Sequence, residues 1–184
     1  MSGAPTEART VLGTGEARRH LIVAIVNNKP GVLNRVASLM RARSFNIESL
    51  AVSVTERPDA SRMTIAIIGD EVQVEQATKQ LYKLIDVLKV QDLTSESIVE
   101  HELALVKVRA SVRTRAEVVS IAEMHRGRVV DLTDESAIIE VVGEPAEVDR
   151  MVELLRGFGI KELVRTGSVV MARGSGSIEE QVKR

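Results

Sequence analysis

Twice along this chain a β-branched apolar run gives way to a segment with helical spacing, then to two strand-like runs, a second amphipathic segment and a closing strand. This order constrains the fold more than any other feature of the sequence. The first round opens with HLIVAIVN, whose continuous hydrophobicity suits a strand covered by helices on at least one face. Val32, Leu33, Val36, Ala37, Leu39 and Met40 then recur at helical spacing, with Asn34, Arg35, Ser38, Arg41 and Arg43 between them. NIESLAVSVTE alternates as a half-buried strand does, ERPDAS turns, and SRMTIAIIGD reads as the hairpin partner. A second apolar stripe, Val74, Ala77, Leu81, Leu84, Ile85 and Leu88, predicts a helix from Glu71, and VLKVQDLT predicts a fourth strand.

The result is β-α-β-β-α-β, the ferredoxin-like order, with an antiparallel sheet and both helices on one face. The second half repeats it more loosely: HELALVKVRA as strand, AEVVSIAEMHRG as helix, RVVDLTD and SAIIEVVGE as a strand pair, PAEVDRMVELLRGFG as helix and IKELVRTGSVVMARG as one last strand. The expected fold class is therefore α+β, two ferredoxin-like domains in tandem. The boundary is expected in the polar SESIVEH stretch, giving domains at 19–95 and 96–174. A disordered extension is expected over 1–18 and a flexible tail over 175–184.

The turn between the first strand and the first helix, Asn27-Asn28-Lys29-Pro30-Gly31, is the strongest candidate for a ligand site. Pro30 suits the first turn of a helix and Gly31 permits close backbone approach. Amides from Gly31 to Leu33 lack intrahelical partners and carry partial positive charge, which favours a small carboxylate or phosphate. Asn28 and, after the same helix, Asn46 each offer a donor and an acceptor, as holding an ammonium and a carboxylate at one α-carbon requires. Val32, Leu33 and Ile47 supply an aliphatic wall for a branched apolar side chain.

Other chemistry is scarce. Net charge is -1, from 25 basic and 26 acidic residues, so no strong field draws the chain to nucleic acid or an anionic membrane. With no cysteine, thiolate nucleophiles and thiolate metal sites are excluded, and a reducing compartment fits. His20, His101 and His125 have no second ligand at metal spacing and read as surface or cap residues. Arg109, Arg113 and Arg115 read as a solvated rim. Aromatic residues make up 2%, too few for the stacking platform of an RNA-recognition domain. Arg35 lies a helical turn inside the segment rather than in the loop, against an acylphosphatase-like hydrolase, and nothing suggests a helix-turn-helix regulator. The start of the chain has no signal-like core and no run approaches membrane-spanning length, so the expected location is the cytoplasm.

NKPGVLNRV, RSFNIESLAV, SRMTIAIIGD and QLYKLIDVLKV, followed in the second half by ELALVKVRA and RTGSVVMARG, resemble the small regulatory subunits of acetolactate synthase, also called acetohydroxyacid synthase. The resemblance spans about His20 to Gly174. It implies that the first domain is an ACT domain that binds amino acids and that the second activates the catalytic subunit. It further implies a homodimer or higher assembly through ACT domains, with valine or another branched-chain amino acid at their interface. Asn28, Pro30, Gly31, Val32 and Leu33 would come from one chain, Asn46 and Ile47 from its partner. On this resemblance the chain has no catalytic residue, metal or cofactor of its own. Thiamine diphosphate, FAD and magnesium would sit in the large subunit.

Overall fold

The computed structural model describes residues 16–182, so most of the extension, and the last two residues of the tail, lie outside the described residues. The first unit comprises β1 (Arg18–Asn27), α1 (Val32–Ala42), β2 (Asn46–Val54), β3 (Ala60–Gly69), α2 (Glu71–Leu81) and β4 (Val87–Asp92). The second comprises β5 (Ile98–Arg109), α3 (Arg115–Met124), β6 (Arg128–Leu132), β7 (Ser136–Gly143), α4 (Pro145–Arg156), β8 (Ile160–Arg165) and β9 (Val169–Ala172). Strand order is β2-β3-β1-β4 in the first sheet and β6-β7-β5-β8 in the second, all antiparallel. Both are the ferredoxin-like order.

Each sheet buries one face under its own two helices. In the first unit Ile22, Ala24 and Val26 of β1 meet Val32, Val36 and Met40 of α1 and Val74, Ala77 and Leu81 of α2. In the second, Ala104, Val106 and Val108 meet Val118 and Ala122 of α3 and Val148, Met151 and Leu155 of α4. α2 begins at a complete capping box, in which the Asp70 carboxylate accepts from the Gln73 amide at 2.8 Å and Gln73 accepts from the Asp70 amide at 3.0 Å.

Four expectations change. The α2 stripe ends at Leu81 rather than running on to Leu88: Ile85 is 90% exposed in the connection, and Leu88 belongs to β4. Three more apolar residues at helical spacing extended the pattern past the place where the backbone turns. The long closing strand of the second half is broken at residues 166–168 into β8 and β9, both paired with β5. The stretch expected to hold the boundary is strand in its second half, where Ile98–His101 of β5 pairs with β9, while residues 93–97 connect β4 to β5. His20 is not a surface residue but is 1% exposed, with Nε2 3.0 Å from the Gly69 carbonyl.

β9 and the segment after it do something the period alone could not reveal. They lie against the face of the first sheet opposite its helices, where Val170 and Ile178 join Leu21, Val23, Ile25, Ala60, Ala66 and Leu93 in a third apolar cluster. β1 is therefore buried on both faces, which explains why residues 21 to 26 are apolar without alternation. Where the sequence suggests a flexible tail, Ile178 is 7% exposed, and before it, in β9, the Val170 carbonyl accepts from Arg62 of β3 at 2.7 Å.

Candidate functional site

The β1–α1 turn is built by what flanks it. At the end of β1, the Asn27 amide donates to the Asp86 carbonyl and the Asn28 amide to the Asp59 carbonyl, both at 2.8 Å. The Asn28 side chain donates through Nδ2 to the Pro58 carbonyl at 2.9 Å rather than capping the helix. Lys29 closes a short turn on the Asn27 carbonyl at 3.0 Å. Gly31 then takes φ +85°, a left-handed conformation that favours glycine, and its carbonyl accepts from Arg35 at 3.1 Å as α1 begins.

The first turn of α1 presents open donors. The Val32 amide makes a long 3.4 Å bond to the Lys29 carbonyl, while among the described residues the amides of Gly31, Leu33 and Asn34 have no partner. No side chain caps this end and no acidic residue stands in the first turn. The field there is that of bare N–H groups and favours an anion. An ideal Cβ at Gly31 would meet nothing within 4 Å, so the space beside these amides is open.

The candidate side chains divide into groups. Asn28, Pro30, Gly31 and Leu33 are exposed around the turn. Val32 is 3% exposed and belongs to the first core, so it offers this surface its backbone rather than the aliphatic wall expected of it. Asn46 is exposed at the start of β2, and Ile47 is half-buried against the same core. The two groups do not meet within one chain. Asn27 pairs with Ala60 and Asn46 with Ile68, eight residues apart on β3, or about 27 Å at the rise of a strand.

A second feature escaped the sequence reading. A cleft of about 820 Å³ lies between the two units, lined by Arg19, Glu48, Glu100, Glu102, Asp149 and Arg165 among others. Arg19 pairs with Glu48, approaches Glu100 at 2.8 Å and donates to Ser168 at 2.8 Å, while Arg165 pairs with Glu102 and, at 2.6 Å, with Asp149. Burial works against the charge of both guanidiniums, but the hydrogen bonds they donate to their carboxylates, together with the negative charge of those groups, outweigh it and hold both above the ordinary arginine range. Each guanidinium is thus shared by two carboxylates, which leaves the cleft an excess of negative charge, and of these contacts only those of Arg19 with Glu100 and Ser168 cross the joint. At its rim Gly167 takes φ +76°, and a Cβ added there would lie 3.0 Å from the Ser49 side chain, so glycine lets the β8–β9 corner sit close to β2. The residues involved are up to 149 positions apart, and no local pattern links them.

Among the described residues, no three or more His, Asp or Glu are grouped to hold a metal, and no helix is long and apolar enough to cross a membrane.

Comparisons with known proteins converge on one family. Residues 22–89 match the family model described as the AHAS small subunit-like ACT domain, and residues 101–174 that described as the small subunit of acetolactate synthase. The chain is 52% identical over 157 residues to a probable acetolactate synthase small subunit of Archaeoglobus fulgidus, covering 85% of this chain and 98% of that one. It is 48% identical over 168 residues to the acetolactate synthase small subunit of Aquifex aeolicus, covering 91% and 88%. The crystal structure of the acetolactate synthase small subunit from Thermotoga maritima superposes with a TM-score of 0.80 at 40% identity, covering 86% of this chain and 99% of that one.

Proposed function

Since this chain belongs to the family of acetolactate synthase small subunits, with an ACT domain as its first unit, we propose that its β1–α1 turn holds a branched-chain amino acid, with valine as the preferred effector. The observation that carries this reading is the open first turn of α1: unpartnered amides, no cap, no acidic side chain, and space beside Gly31. Those amides take the effector's carboxylate, Asn28 Oδ1 and the side chain of Asn46 take its polar groups, and Leu33 and Ile47 line the isopropyl.

Because the Asn46 end of the sheet is remote from the turn, the pocket is completed by a second copy. The turn of one protomer meets Asn46 and Ile47 of its partner, and the ACT domains form the homodimer. Binding at that interface favours one arrangement of the pair and biases the catalytic subunit through it. A coupling of about 1–3 kcal/mol changes activity several-fold to about a hundredfold. The second unit serves activation of the catalytic subunit. This chain contributes no catalytic residue, and thiamine diphosphate, FAD and magnesium are assigned to the large subunit of a cytoplasmic holoenzyme in valine, leucine and isoleucine synthesis.

The test is calorimetric titration with valine, leucine, isoleucine and serine, followed by inhibition assays after reconstitution with the large subunit. The informative pair is Gly31→Asp against Gly31→Asn. Both place a side chain of the same shape at φ +85°, but only the aspartate sets a negative charge beside the effector carboxylate. Saturable binding of a branched-chain amino acid, weakened far more by aspartate than by asparagine, is the expected result. Equal valine inhibition in Gly31→Asp and the parent chain would remove the turn from the site.

A further inference from the structure

Between α2 and β4 the chain places Asp86, 8% exposed, directly beneath the effector turn. Its carbonyl accepts from the Asn27 amide at 2.8 Å, one carboxylate oxygen receives Asn27 Nδ2 at 3.5 Å, and the other receives the Arg35 guanidinium. Asn27 is the last residue of β1, and Arg35 lies one turn into α1. One side chain thus ties together the two segments that flank Asn28 to Gly31. We infer that Asp86 is a positioning residue for the effector turn, and that the Arg35–Asp86 pair keeps that turn both in shape and electrically open to a carboxylate. This rests on the reading of the turn as the effector site.

Two physical consequences distinguish this role from general stabilisation. First, Arg35 is the cation nearest in sequence to the open amides on α1, and it is engaged with Asp86. The effector carboxylate then meets the backbone donors and the exposed Lys29 of the turn rather than the Arg35 guanidinium. Second, Asp86 is a mostly buried negative charge near an anion site, and Arg35 neutralises it. Without Arg35 the carboxylate would oppose the incoming ligand, with an effect that grows as salt is lowered.

The experiment uses the full chain, alone and reconstituted with the catalytic subunit, and reads valine affinity by calorimetry at low and high salt. Amide hydrogen exchange of residues 28–34 is measured in parallel. Asp86→Ala is expected to weaken valine about tenfold, as for loss of a charge-assisted bond that holds the site, and to speed exchange in 28–34 while the β5–β7 amides stay protected. Arg35→Ala is expected to weaken valine more at low salt than at high salt. Arg35→Lys should retain most of the affinity, and Arg35→Ala combined with Asp86→Asn should recover much of what Arg35→Ala loses, because the uncompensated charge has gone. A purely structural role predicts no such recovery.

Valine binding at parental strength, or stronger, in Asp86→Ala would overturn the inference; stronger binding would mean that a released Arg35 grips the ligand. So would a double variant no better than Arg35→Ala. If the parental chain binds no branched-chain amino acid in either form, the effector reading falls together with this one. If the parent binds and the variants match it, only the role of Asp86 falls.

Discussion

At position 31 an added Cβ would meet nothing within 4 Å, yet φ is +85°. Space is not what selects glycine here; backbone conformation is. Gly31→Ala therefore costs the left-handed strain and little else, about 1–2 kcal/mol of stability, and Gly31→Asn costs less because asparagine tolerates that region. Urea denaturation of both variants checks the order, and equal losses would mean that the turn relaxes to negative φ when substituted. The glycine was legible in the sequence because a Pro-Gly pair between a strand and a helix signals a turn in local spacing alone. Its brace was not. Asp86 is 59 residues from Asn27, and nothing in LIDVLKV distinguishes a carboxylate that reaches Arg35 from one that points into water. Val32 is ambiguous for the opposite reason: its apolar character suits a ligand wall and a helix core equally, and helical phase sends its side chain to the core.

Secondary elements were read well wherever one face is buried and the other is not. The stripes of α1 and α4 each correspond to a single apolar side, so period and burial agree, whereas in β2 only Ile47 and Leu50 pack on the core and Val52 and Val54 are 42% and 55% exposed. The reading weakened where an element serves two cores or ends at a bend. β1 shows no alternation because β9 and the segment after it cover its second face. β8 and β9 were read as one strand because Thr166 to Ser168 interrupt the run without the usual turn signal beyond Gly167. Ile178 is the anchor of that cover, 7% exposed on the first sheet. Ile178→Ala should cost about 2 kcal/mol, as for removal of a largely buried branched side chain, with faster exchange confined to β1 and β3. A loss below about 0.5 kcal/mol, the range of a surface substitution, would show that the segment is not held against the sheet in solution.

At the scale of the whole molecule the first ferredoxin-like order ends with β4 at Asp92 and the second begins with β5 at Ile98, but their apolar surfaces do not divide between the two. The second half of the chain supplies β9 and Ile178 to the first sheet, and the first half supplies Arg19 to Glu100 and Ser168. A fragment of residues 16–95 would contain every strand of the first sheet and both its helices, yet leave Leu21, Val23, Ile25, Ala66 and Leu93 with one face uncovered. A contiguous apolar face of that kind on a soluble domain drives association. The fragment is therefore expected to bind a hydrophobic dye and to self-associate beyond the state of the full chain in sedimentation runs at matched concentration. A longer fragment in which residues 167–182 are rejoined to 16–95 through a flexible linker should reverse both effects. The Val170→Asp, Ile178→Asp version of that fusion should not, because it restores chain length without restoring cover. If fragment 16–95 sediments like the full chain and leaves the dye dark, the third cluster contributes little to the first unit, and the units are independent although β9 packs on the first sheet.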